Sequence, residues 1–138
     1  MPSPTRRRFV LLGLLLAGSS IAPAPSHEPP KPPPLVEARY QAAVKQYELT
    51  WSYYQQDRID SYQVYVWSRL VLDSGRDIAA KPAEQIAALE DHLERMRKLE
   101  SLIKKVRRLG FGRSYDVGAS EYYRLEAELW LARAKSQK

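Results

Sequence analysis

Residues 82–108, PAEQIAALEDHLERMRKLESLIKKVRR, carry the pattern that decides the fold of this 138-residue chain. Apolar side chains recur there at spacings of three and four residues, which places them along one face of an α-helix. A helix of this length spans about 40 Å at a rise of about 1.5 Å per residue. Pro82 suits the first helical turn, and Gly110-Phe111-Gly112 suits the end of the helix. The apolar positions are Ile86, Leu89, Leu93, Met96, Leu99, Ile103 and Val106.

Two earlier segments repeat this amphipathic pattern. The second begins at Asp60, which can cap a helix with Gln63 completing a capping box, and should fade near Gly75. On the first segment, the stripe is aromatic and predicts a core built from large amphipathic rings rather than a ligand surface. The two predicted stripes comprise Tyr40, Val44, Tyr47, Trp51 and Tyr54, and then Val64, Trp67, Leu70 and Val71.

A last helix follows the glycine turn, and Ser114 can cap it. Its apolar stripe consists of Tyr122, Leu125, Leu129 and Ala132, with Ala119, Tyr123 and Trp130 beside it.

The four helices predict an all-α domain over residues 35–138. Neither of the two antiparallel helical hairpins can bury its wide apolar face alone, so we expect them to pack as a four-helix arrangement. The predicted turns lie near residues 57–61, 75–82 and 109–114. The side chains chosen as largely buried are Trp51, Trp67, Leu93 and Leu125.

The first part of the chain, residues 1–26, is typical of an export signal peptide. Three arginines, Arg6–Arg8, precede a short apolar run that begins at Phe9, and small residues and prolines follow. Thr5-Arg6-Arg7 with Phe9 also resembles a twin-arginine signal, so the Sec and twin-arginine routes both stay open, as do cleavage and retention as a membrane tether. Residues 27–34 predict an extended proline-rich linker. Alternatively, this proline-rich stretch is a ligand for an aromatic groove on a partner. The predicted location is therefore the periplasm or cell envelope.

Motifs of reaction chemistry are missing from the sequence. The chain has no cysteine, which excludes disulfides, thiolate metal sites and a lipoprotein anchor. Its two histidines, His27 and His92, lack metal-ligand spacing, and we expect His92 to be solvated or at an edge. No nucleophile elbow, phosphate loop or calcium loop occurs. The sequence therefore predicts a non-enzymatic protein without catalytic residues, a cofactor or a metal.

A cluster of cations surrounds the glycine turn. The helix dipole favours cations at a helix C-terminus by about 0.3–1 kcal/mol each, so the cluster needs no ligand. Alternatively, it suits anionic lipid, an acidic polymer or an acidic partner. The formal charge of +6 falls to +3 without Arg6–Arg8, and nucleic acid is not a predicted partner. We call this cluster the basic tip, and its candidate contact residues are Lys104, Lys105, Arg107, Arg108, Phe111 and Arg113.

Residues 105–134 also carry a family resemblance. The run from Arg108 through Gly112-x-Ser114-x-Asp116-Val117 to a helix with recurring Ala and Leu resembles the periplasmic helical-hairpin segment of outer-membrane efflux proteins of the TolC type. The resemblance implies a helical-hairpin architecture and does not carry over transport activity. Leu109 replaces the aromatic residue of the family pattern, and the spacing from Gly to Asp is shorter.

Two hypotheses for function follow. The first is a scaffold or interaction module of the cell envelope, whose partner is an envelope protein or a second copy of the chain. The second is a small exported binding module that uses the basic tip to hold an anionic ligand or acidic lipid surface.

Overall fold

The computed structural model describes Lys31 and residues 33–137. The predicted export signal and most of the predicted linker lie outside the described residues. Consecutive helices pack against one another, α1 on α2, α2 on α3 and α3 on α4, so the predicted all-α arrangement of two hairpins is confirmed. The helices of the described part are α1 Pro34–Gln55, α2 Ser61–Ile78, α3 Pro82–Arg108 and α4 Ser114–Ser136.

The helix ends follow from local chemistry. The Asp60 side chain accepts a hydrogen bond from the Gln63 backbone N–H at 3.2 Å, so the predicted cap of α2 is confirmed. Gly110 and Gly112 adopt φ values of 84° and 78°, where a side chain would be strained. These two glycines reverse the chain between α3 and α4.

Three predicted boundaries are wrong. Gly75 does not end α2, which continues to Ile78. A Cβ at Gly75 would lie 3.4 Å from the Tyr40 ring, within ordinary van der Waals contact, so α2 packs on α1 at this glycine. Ser114 is the first residue of α4 rather than its cap, and no side chain caps that helix. Pro34 belongs to α1 rather than the linker, because its fixed φ suits a first helical turn.

The core lies between the two hairpins. Most of the predicted apolar stripe of α3 lies in this core. Ile86 and Val106, at the two ends of the stripe, are half-buried. The predicted aromatic stripe of α1 is half-buried along its whole length, and Tyr47, Trp51 and Tyr54 pack against the core. The central cluster comprises Val64, Tyr65, Leu93, Met96, Leu99, Ile103, Tyr123 and Ala127.

Predicted burial is correct for α3 and wrong for parts of α2 and α4. Leu93 is 5% exposed, as expected, whereas Leu125 is 50% exposed. Trp51 and Trp67 are half-buried. Leu70, assigned to the inner face of α2, is exposed.

Within the described residues, no helix combines the length and the apolar character that crossing a membrane requires.

Candidate interaction surface

The inner face of α4 combines small and polar side chains with the aromatic ring of Tyr123. Ser120 and Ala127 are completely buried, and their small size lets α4 approach its neighbours closely. Ser61 on α2 donates a buried hydrogen bond to Asp116 at 2.8 Å. Tyr123 stacks on Tyr65 of α2 with ring centroids 4.1 Å apart. Specific polar and aromatic contacts therefore fix this face against the bundle.

The opposite side of α4 carries a second set of large apolar residues. The apolar stripe Tyr122, Leu125, Leu129 and Ala132 is exposed, so the prediction that Leu125 is largely buried is wrong, whereas Tyr123, predicted beside the stripe, is buried. Exposure reaches 61% for Tyr115 and Tyr122 and 47% for Leu129. A Cβ built at Gly118, on the same side, would meet no atom within 4 Å. We call this surface the outer stripe, and its members are Tyr115, Gly118, Tyr122, Leu125, Leu129 and Ala132.

The basic tip lies at the end of the α3–α4 hairpin, and all six of its candidate residues are exposed. Phe111 is 70% exposed, and Leu109 beside it is also exposed. Gly112 lies close to the helix end, because a Cβ there would meet Val106 at 3.2 Å. The structure therefore brings the candidate contact residues together around one turn.

Two of the tip cations already have partners. The Lys104 ammonium donates to Glu100 at 2.8 Å, and Arg113 donates to the Tyr115 hydroxyl at 2.7 Å. That tyrosine belongs to the outer stripe, so the two surfaces are continuous. Within the described residues, Lys105, Arg107 and Arg108 form no ion pair, so their charges are available to an anionic ligand.

His92 is fully buried in α3, so the prediction that it is solvated or at an edge is wrong. Its Nδ1 lies 2.8 Å from Ser68 Oγ, and Arg95 Nε donates to the same oxygen at 2.8 Å. Ser68 thus links the His92 ring to the Arg95 guanidinium inside the bundle. The ring stacks on Trp130 of α4 with centroids 5.8 Å apart.

The surroundings of His92 keep it neutral. Burial, and then the positive charges of Arg95 and Arg69, lower its pKa to about 4. His92 Nε2 has no hydrogen-bond partner among the described residues. Although serine and histidine are bonded here, both side chains are fully buried and no substrate can reach them. The pair therefore acts in packing.

A charged network joins α3 to α4 near their middles. Arg124 donates to Glu100 at 2.7 Å and to Glu128 at 2.9 Å, and Arg97 reaches Glu128 at 3.3 Å. Burial raises the pKa of Glu100, but hydrogen bonds from Lys104 and Arg124 outweigh it, so the pKa lies below its usual value. Glu128, which lies beside the outer stripe, is therefore already ion-paired within its own chain.

No protein-family model matches this chain, and comparisons with curated proteins and with solved structures give no significant match. The resemblance of residues 105–134 to TolC-type hairpins stays a prediction.

The sequence alone does not show that the outer stripe faces away from the core. Its spacing was visible, but a helix with apolar residues on two sides gives no periodic signal for which side faces the core. Asp116 and Ser120 lie on the true inner face, although polar residues usually indicate an exposed face. Their partners, Ser61 and a backbone carbonyl, become visible only once the helices are packed.

Proposed function

We propose that this chain is a non-enzymatic exported helical protein that serves as a scaffold or interaction module of the cell envelope. The observation that supports this best is the outer stripe. Large apolar side chains aligned along one exposed helix face are typical of a surface that another protein covers. The buried polar groups, by contrast, stabilise the packing of the helices and offer no accessible chemistry.

The flanks of the outer stripe favour a protein partner over an anionic membrane. Glu121, Glu126 and Glu128 border the stripe on α4. Carboxylates would be repelled by acidic lipid headgroups. An apolar stripe with charged margins suits a helix of another protein.

Capture from envelope extracts by the tagged full chain tests this proposal. Leu125→Lys with Leu129→Lys should abolish capture of partners, because two charges would have to be buried in the interface. Leu35→Lys with Leu49→Lys is the matched control, since both leucines are exposed on α1. Capture that is equal for both double variants would overturn the proposal.

Export itself is tested by fractionation of the tagged full chain. We expect recovery with the envelope or periplasm, and recovery wholly in the cytoplasm would contradict the proposal. Replacement of Arg6 and Arg7 by Lys should block the twin-arginine route and spare the Sec route.

A second candidate function rests on the basic tip. Phe111 is exposed beside the unpaired Lys105, Arg107 and Arg108, which favours contact with an anionic lipid surface or acidic polymer. Sedimentation with vesicles that contain acidic lipid should show binding that weakens as salt rises.

Variants separate tip binding from general charge. The tip variant is Lys105→Ser, Arg107→Ser and Arg108→Ser. The control removes the same charge elsewhere, with Lys45→Ser, Arg58→Ser and Lys81→Ser. Equal loss in both variants, or no binding by the parent chain, would exclude the tip as a specific contact.

A further inference from the structure

The residues of the outer stripe follow a heptad repeat along nearly the whole of α4. Its six members, from Tyr115 to Ala132, are spaced by 3, 4, 3, 4 and 3 residues. This alternation is the pattern with which one helix packs along another. Within the described residues, no helix covers it, and it lies opposite the buried Ser120, Tyr123 and Ala127.

The stripe is complementary in size to itself when a second copy runs antiparallel. With the two-fold axis between residues 123 and 124, each large side chain faces a smaller one. Tyr115 lies opposite Ala132 of the second copy, and Leu129 lies opposite Gly118 of the second copy. Tyr122 lies opposite Leu125 of the second copy at the centre. Because each of the six stripe residues pairs with one residue of the second copy, the two 23-residue helices form six layers.

Gly118 makes this arrangement distinctive. It leaves open space on the outer face, with nothing within 4 Å of a built Cβ. In a parallel pair the two glycines would face each other and leave an unfilled layer, which costs packing energy. In the antiparallel pair, Leu129 of each copy packs into the open space at Gly118 of the other copy. Symmetry therefore fills both gaps.

We infer that this chain forms an antiparallel homodimer through the outer stripe of α4, with Leu129 of each copy packed on Gly118 of the other. This inference rests on the proposed function, since it names the second copy as the partner of the same surface. The interface is isologous and closed, so it yields dimers rather than chains of molecules. Because one helix from each copy forms the whole interface, we expect weak, concentration-dependent association.

The charge pattern offers a check on the register. In the inferred pairing, Glu121 faces Glu128 of the second copy, whose carboxylate already binds Arg124 and Arg97 of its own chain. Glu121→Lys should therefore strengthen association only slightly. A register shifted by one heptad would place Glu121 opposite Lys135 of the second copy. In that register Glu121→Lys would weaken association instead.

Disulfide trapping tests the pairing directly, because the natural chain contains no cysteine. Two differently tagged full chains are co-expressed, one with Tyr115→Cys and one with Ala132→Cys, and are then oxidised. The inferred dimer predicts a mixed disulfide. Each variant alone should give none, because its two cysteines would be about 25 Å apart at about 1.5 Å per residue. A disulfide formed by either variant alone would indicate a parallel pair and overturn the inference.

Gly118→Leu provides the steric test in the same assay. Leucine is a better helix former than glycine, so the folded chain should not be weakened. The mixed disulfide, however, should fall by at least about tenfold, since two symmetry-related layers become overpacked. Adding Leu129→Ala should restore it by exchanging the large and small members of the layer. Ser101→Leu, on the exposed side of α3, is the control and should leave the yield unchanged.

The outcomes separate this inference from the proposed function. If no mixed disulfide forms but Leu125→Lys with Leu129→Lys still abolishes capture of another protein, the dimer is wrong and the interaction surface stands. If trapping fails and capture is also insensitive to these substitutions, both are wrong. A mixed disulfide that is unaffected by Gly118→Leu would overturn the proposed register.

Discussion

Helices α3 and α4 form one hairpin, yet their apolar residues play opposite parts. On α3 a single apolar stripe faces inward, and Leu99 is completely buried. On α4 the most regular apolar stripe faces outward, and Leu125 and Leu129 remain 50% and 47% exposed. The inner face of α4 is made of Asp116, Ser120, Tyr123 and Ala127. Apolar periodicity thus detects an apolar helix face, and only the packed structure shows whether that face lies in the core.

Truncation of equivalent leucines tests this contrast most strongly. Leu93→Ala should lower the free energy of unfolding by about 2–5 kcal/mol, because it leaves a cavity in the core. Leu125→Ala should cost less than about 0.5 kcal/mol, the usual range for a surface substitution. Urea unfolding at low protein concentration measures both. Similar losses would mean that the outer stripe is part of the core.

The pH dependence of stability tests the buried contact between the two helices at His92. The unfolded chain takes up a proton below about pH 6.5, whereas the folded chain resists it because the pKa of His92 lies near 4. Stability is therefore full above about pH 6.5 and falls by up to about 3 kcal/mol as the pH is lowered to about 4.

The matched variant is His92→Gln, which cannot titrate. Between about pH 6.5 and 5, its unfolding free energy should change less with pH than that of the parent. Identical slopes would show that His92 is hydrated and not enclosed by Trp130.

The polar inner face of α4 is tested through its buried hydrogen bond to α2. Asp116→Ala should cost about 1–3 kcal/mol, because it leaves the Ser61 hydroxyl buried without its acceptor. Glu121→Ala, on the exposed side of the same helix, is the control and should have little effect. Equal unfolding free energies for the two variants would show that polar contacts do not orient α4.

The smallest expected changes in stability come from substituting two glycines, Gly118 on an open helix face and Gly75 on a packed one. Gly118→Ala should stabilise the folded chain by up to about 1 kcal/mol, since alanine favours the helix and its Cβ meets nothing. Gly75→Ala should be tolerated as well, because its Cβ would make ordinary van der Waals contacts with Tyr40 at 3.4 Å and Ala88 at 3.8 Å. Thermal unfolding of the two variants measures both effects, and a loss of stability in Gly118→Ala would contradict an open outer face of α4.

The sequence alone predicts the four helices, but it does not predict which face of α4 packs against the core. Local signals such as Asp60, Pro82 and the Gly110–Gly112 turn depend on neighbouring residues, so their positions could be predicted. The burial of His92 depends on Ser68 and Trp130, which are distant in the sequence. The basic tip was predictable because consecutive residues build it, whereas the outer stripe required knowledge of what covers the opposite side of α4.

The central claim is that the outer stripe of α4 faces away from the core. The most direct measurement is the unfolding free energy of the variant with Leu125→Lys and Leu129→Lys, determined at a protein concentration low enough to exclude association. The account predicts a helical protein whose stability lies within about 1 kcal/mol of the parent, since exposed sites tolerate such substitutions. A variant that loses its helical circular dichroism signal, as Leu93→Lys should, would contradict it.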